Sequence, residues 1–131
     1  MREILFRGKD IAGNWHYGVP LIFTDDYVCM TAPHTYNKAV IPETVGQYTG
    51  LKDKNGKKIF EGDIVNVNTK RDETHSMYQG RHLIIRFDEY HRFVASGRLE
   101  YPLCNHYEWE ITSNIYDNPE LLKGGTDNGH P

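Results

Sequence analysis

Residues 47–65 read Gln47-Tyr48-Thr49-Gly50-Leu51-Lys52-Asp53-Lys54-Asn55-Gly56-Lys57-Lys58-Ile59-Phe60-Glu61-Gly62-Asp63-Ile64-Val65. The centre of this run is Asn-Gly, the strongest short-range hairpin signal, because both residues tolerate the positive φ that a tight turn between twisted strands demands. The spacing predicts a strand over Gln47–Leu51, a turn at Asp53–Lys57 and a second strand over Lys58–Phe60. Glu61-Gly62-Asp63 then reads as a tight corner feeding a further strand, Asp63–Asn68. Two strand–turn units in so short a run point to a β fold with antiparallel connections.

Working outward, alternation with period two recurs. Trp15, Tyr17 and Val19 share one strand face, with His16 and Gly18 on the other. Leu83, Ile85 and Phe87 alternate with Ile84, Arg86 and Asp88, and Tyr107, Trp109 and Ile111 alternate with Glu108, Glu110 and Thr112. Such alternation marks half-buried strands. Ile4–Phe6 and Tyr27–Met30 are further candidates. Gly13-Asn14 reads as a turn, and Pro20 and Pro42 belong at edges or strand ends because proline donates nothing to a ladder. One helix is predicted: Asn118 as N-cap, Pro119 at the first helical position, Leu121 and Leu122 as the apolar face, and Gly124 as the stop. Asn68–Gly80 is polar and predicted to be a mobile loop, and Gly124–Pro131 a disordered tail. About seven short strands with tight turns suggest a mainly β, barrel-like architecture, in part like the small SH3-like barrels.

Composition fits this reading. The chain has 131 residues, long enough for one domain with a proper core. Nine Tyr, five Phe and two Trp favour pleated, half-buried surfaces. A formal net charge of −3 lacks the basic excess of a dedicated nucleic-acid binder. Cys29 and Cys104 are the only cysteines, without CxxC spacing, so the expectation is two reduced thiols and no zinc site of the common type. Arg2, Glu3, Arg7 and Lys9 precede any apolar run, which excludes a signal-peptide pattern, and Val19–Phe23 is too short to span a bilayer. The expected setting is cytoplasmic, with no membrane partner.

The run from Pro42-Glu43-Thr44-Val45-Gly46 through Asn55-Gly56-Lys57 to Phe60-Glu61-Gly62-Asp63-Ile64-Val65 closely resembles the signature of the YopX family, small proteins of phages, prophages and related mobile elements. Met1-Arg2-Glu3-Ile4 through Phe6-Arg7 with Trp15-His16-Tyr17-Gly18 resembles the family's opening. Asn114-Ile115-Tyr116-Asp117-Asn118-Pro119-Glu120-Leu121-Leu122 resembles its close, although Ser113-Asn114 stands where Gly-Asn is usual. The resemblance covers Met1 to Leu122, with Asn68–Arg98 variable. It implies one β domain over residues 1–123, a pseudo-barrel with a small helix, a bacterial host cell, and self-association. It implies no activity and no cofactor. Its recurring motif has a structural explanation, in which Tyr48, Leu51, Ile59, Phe60, Ile64 and Val65 fill a core.

Candidate chemistry is sparse. His75, His82, His91 and His106 show no HxH or HExxH spacing. Asp53-x-Asn55 starts like a calcium loop but places Lys58 and Ile64 where that loop needs Gly and Glu. Glu108 and Glu110 share a strand face, as any solvated face would show. No nucleophile elbow, P-loop or dinucleotide fingerprint is present. Lys52, Lys54, Lys57 and Lys58 cluster on the predicted hairpin, with Arg71, Arg81, Arg86, Arg92 and Arg98 further on and Tyr48, Tyr78 and Tyr90 among them. These four lysines are candidate contacts for nucleic acid or a protein partner; the plainer explanation is a hairpin that stays soluble and resists edge pairing. The expectation is a non-enzymatic binding or assembly module acting on a host or phage protein, with a homo-oligomer compatible, a nucleic-acid-binding small barrel as the alternative, and a metal-dependent enzyme as the weakest reading. Trp15, Tyr17 and Trp109 are either core or partner-facing.

Overall fold

The predicted hairpin at Asp53–Lys57 forms as expected, and the described residues are mostly strand. The structure, a computed structural model, describes residues 3–31, 38–69, 78–97, 99–105 and 107–120. The strands are β1 (Phe6–Lys9), β2 (Trp15–Phe23), β3 (Val28–Thr31), β4 (Lys38–Val40), β5 (Gly46–Lys52), β6 (Lys58–Phe60), β7 (Asp63–Thr69), β8 (Tyr78–Phe87), β9 (Phe93–Ser96), β10 (Glu100–Pro102) and β11 (Tyr107–Asn114), with a 3₁₀ turn at Pro42–Thr44. They build two sheets, ordered β4-β3-β2-β1-β5-β6 and β10-β9-β8-β7-β11. By contact density the chain divides into two compact units, Met1–Gly50 and Leu51–Pro131.

In the first unit, β1 pairs antiparallel with Trp15–Gly18 of β2, and β3 pairs with Val19–Phe23 across a bulge between Pro20 and Ile22. Val28, Met30 and Val40 form the buried cluster, with Phe6 and Val45 packed against it. Gly8 allows this packing, because a Cβ there would lie 2.6 Å from Val40 Cγ2. The 3₁₀ turn is tied to β1 by Thr44, whose Oγ1 accepts from the Lys9 N–H at 2.8 Å.

In the second unit, the core is Ile59, Val65, Val67, Leu83, Ile85, Ala95 and Trp109, with Leu51 among the partly buried side chains packed against it. Phe60 and Ile64 of this unit are buried as well, as is Tyr48 in the first unit, so the apolar positions of the 47–65 run are buried or packed on a buried cluster. The indole of Trp109 donates to the Cys104 carbonyl at 2.8 Å, which satisfies its one polar atom.

Three expectations change. Neither sheet closes into a barrel among the described residues. Closure needs the terminal strands to reach one another, and β4, β6 and β10 have only three residues each. The helix from Asn118 is not shown: Ile115–Asp117 form a turn in which Asn118 donates its N–H to Asn114, and Leu121–Lys123, like the tail 124–131, lie outside the described residues. The polar segment 68–80 is not all loop, for Asn68 and Thr69 pair with Gln79 and Tyr78, while 70–77 lie outside the described residues. Backbone pairing does not require apolar side chains, so polarity alone hid these strand ends. Pro20 lies on an edge, as expected: it stands past the last residue of β2 paired with β1, where its missing N–H deprives no neighbour. No helix among the described residues is long and apolar enough to cross a membrane.

Candidate functional site

The four candidate lysines fall on or beside the β5–β6 turn, and an aspartate organises that turn. Asp53 Oδ1 accepts from the Asn55 and Lys57 N–H groups, both at 2.9 Å, and Oδ2 accepts from the Ile111 N–H at 3.1 Å. The Lys54 N–H donates to the Trp109 carbonyl at 2.8 Å. Asp53 is 6% exposed. Burial raises its pKa, but the N–H groups of Ile111, Lys57 and Asn55 outweigh that and hold the carboxyl below its usual range. The hairpin is therefore docked on β11 through buried backbone. Lys52, Lys54 and Lys57 are exposed and Lys58 is half-buried. Lys54 Nζ lies 3.8 Å from Glu110 Oε1, which offsets part of the local positive charge.

The same device recurs twice. Asp10 Oδ1 accepts from Ala12 and Asn14, and Asp88 Oδ1 from Tyr90 and Arg92, all at 2.9 Å. In each turn the aspartate also accepts at its carbonyl from the residue three positions on, which has positive φ: Gly13, Gly56 and His91. The second carboxylate oxygen varies. Asp10 Oδ2 takes His16 Nε2 at 2.8 Å, and this bond leads the causes that lower the Asp10 pKa to about 2. Asp88 Oδ2 takes Arg92 Nε and Nη2 at 3.1 and 2.9 Å; burial opposes, yet the Arg92 contacts keep this carboxyl low as well. These carboxylates are occupied by turn geometry.

The remaining candidates stay apart. Glu108 Oε1 accepts from Asn68 Nδ2 at 3.1 Å while Glu110 faces Lys54. His82 lies within β8 and His91 in the Asp88–Arg92 turn, both with positive φ, and His75 and His106 lie outside the described residues. No group of three or more His, Cys, Asp or Glu among the described residues could hold a metal. Cys29 and Cys104 are free thiols.

What sequence reasoning missed is the outer half of the β2–β3 hairpin. Tyr17, Val19, Leu21, Ile22, Phe23 and Tyr27 are all exposed, Leu21 at 58% and Phe23 at 67%. Trp15, on the same strand, is half-buried and carries the Arg7 guanidinium 4.6 Å from its ring centroid. Trp109 is core. The alternation of Trp15, Tyr17 and Val19 identified a strand with two faces, but nothing in it said that this apolar face lies outward. Five uncharged residues in a row, Val19–Phe23, were the available signal.

The model of the family described as YopX protein matches residues 13–123. Among solved structures, the crystal structure of protein EF1440 from Enterococcus faecalis is similar, with 26% sequence identity, a TM-score of 0.57, and coverage of 93% of this chain and 99% of that one. No curated protein matches.

Proposed function

The chain belongs to the YopX family, and from that premise we propose that it is a non-enzymatic binding or assembly module whose contact surface is the outer half of the β2–β3 hairpin. The setting proposed is a phage or prophage one in a bacterial cell. The observation that carries the reading is the clustering of Tyr17, Val19, Leu21, Ile22, Phe23 and Tyr27 as exposed apolar side chains on one hairpin. Six exposed apolar side chains gathered on one hairpin favour association. Covering the exposed half to two-thirds of Leu21, Ile22 and Phe23 would contribute roughly 1–2 kcal/mol each, before the cost of association. The nucleic-acid reading through Lys52, Lys54, Lys57 and Lys58 is weaker, since Glu110 lies 3.8 Å from Lys54 and the chain is acidic in total.

The test is a double variant, Leu21→Asp with Phe23→Asp. Both side chains are exposed, so folding stability should change by no more than about 0.5 kcal/mol each. Sedimentation and capture of partners from host lysate, with and without nuclease, should show loss of association in the variant. Association unchanged by the substitutions would refute the reading.

A further inference from the structure

Half of β2 is a strand edge. β1 pairs with β2 only from Trp15 to Gly18, and no strand among the described residues pairs with the opposite side of Val19–Phe23. At the hairpin's end, Thr24 donates its N–H to the Tyr27 carbonyl at 2.9 Å. Bonded and non-bonded pairs alternate along an antiparallel ladder, so the next pair, Phe23–Val28, is non-bonded. Phe23 therefore points its N–H and C=O away from β3, towards the open side. The open segment is about 16 Å long at the usual rise, a normal strand length. It carries no lysine or other charge within Val19–Phe23; of the devices by which natural edges discourage pairing it has Pro20 and the bulge between Pro20 and Ile22, both before Ile22. Pro20 removes one N–H near its start.

The charge lies at one end. Asp25 and Asp26 form the exposed tip of the hairpin, held there by Thr24 Oγ1, which accepts from the Asp26 and Tyr27 N–H groups at 3.2 and 3.0 Å. No ion pair among the described residues engages either aspartate side chain. An occupant of this edge thus meets open backbone groups, apolar side chains, and two negative charges beside the Phe23 end.

We propose that the open edge of β2 accepts an added antiparallel strand from a protein partner, an extended apolar segment with basic residues at its N-terminal end. Backbone complementarity selects a strand, the uncharged Val19–Phe23 face selects apolar side chains, and Asp25–Asp26 place the cations where an antiparallel segment begins. The inference rests on the hairpin being the contact surface and names what that surface takes.

A capped peptide, Lys-Lys-Val-Thr-Val-Thr-Val, tests it by NMR titration against the full chain. Shifts should concentrate at Val19–Asp26, and the Phe23 amide should gain protection from hydrogen exchange. Replacing both lysines of the peptide by glutamate should weaken binding about tenfold. N-methylation of alternate peptide nitrogens, which keeps the side chains but blocks strand pairing, should abolish it. Equal binding of the Lys and Glu peptides, survival of N-methylation, or no shift in this strand at millimolar peptide would each overturn the proposal. So would self-association through Val19–Phe23 that the peptide does not displace, since the occupant would then be a second copy. If the Leu21→Asp, Phe23→Asp variant loses association while no peptide binds, strand addition falls and the contact surface stands; if that variant loses nothing, both fall.

Discussion

His91 occupies a position that glycine fills in both sister turns. Its φ is 63°, against 92° for Gly13 and 83° for Gly56. A left-handed conformation costs an ordinary L-residue about 1–2 kcal/mol, partly offset here by the contact of the His91 ring with Phe87, centroids 5.8 Å apart. His91→Gly is expected to raise stability by about 0.5–1 kcal/mol in urea unfolding. Asp53 makes the opposite case. Asp53→Asn can keep two accepted hydrogen bonds, but either orientation of the amide leaves an NH₂ facing a backbone N–H where an oxygen now accepts. A loss of about 2 kcal/mol is expected by the same measurement. The sequence made the turns at Gly13-Asn14 and Asn55-Gly56 legible through their glycines. Asp88–Arg92 went unread because its left-handed residue is a histidine, which carries no compositional signal, and the hydrogen bonds that hold the turn are made by Asp88.

At the scale of elements, alternation reveals the strands with one wet face, whereas β6 and β7, which bury Ile59 and Phe60 and then Ile64 and Val65 in succession, are legible from the turns that precede them. β11 buries Trp109 and exposes Glu108, so alternation revealed it. β9 buries both Val94 and Ala95, on opposite faces, and period two has nothing to display there. β4 and β10 have three residues each, too few for any period, and β10 includes Pro102 opposite Val94. The open half of β2 has a direct dynamic signature. Ile22, paired with Cys29 one step beyond Phe23, turns its N–H towards β3, while the Phe23 N–H faces the open side. Amide hydrogen exchange should therefore find Ile22 protected and Phe23 exchanging fast, and equal protection of the two would mean the edge is already covered.

For the molecule as a whole, Asp10, Asp53 and Asp88 set the response to acid. All three carboxyls sit below their ordinary values, Asp10 at about 2. Depressed carboxyls stabilise the folded state fully above the unfolded value near 4, and that contribution disappears as pH falls through the folded values. Thermal midpoints should be level from pH 7 to about 5 and fall between about pH 4 and 2, with a shallower fall in Asp10→Asn. The β class, the hairpin at Asp53–Lys57, the core residues of the 47–65 run and the family resemblance were all determined by sequence alone, because turn chemistry and period-two burial are local properties of the chain. Only tertiary structure decided that the sheets stay open among the described residues, that Asp53 is locked onto β11, and that Val19, Leu21, Ile22 and Phe23 are exposed. Each of these depends on which strand lies beside which, and on where β1 stops along β2, and an apolar run reads the same in sequence whether or not another strand covers it.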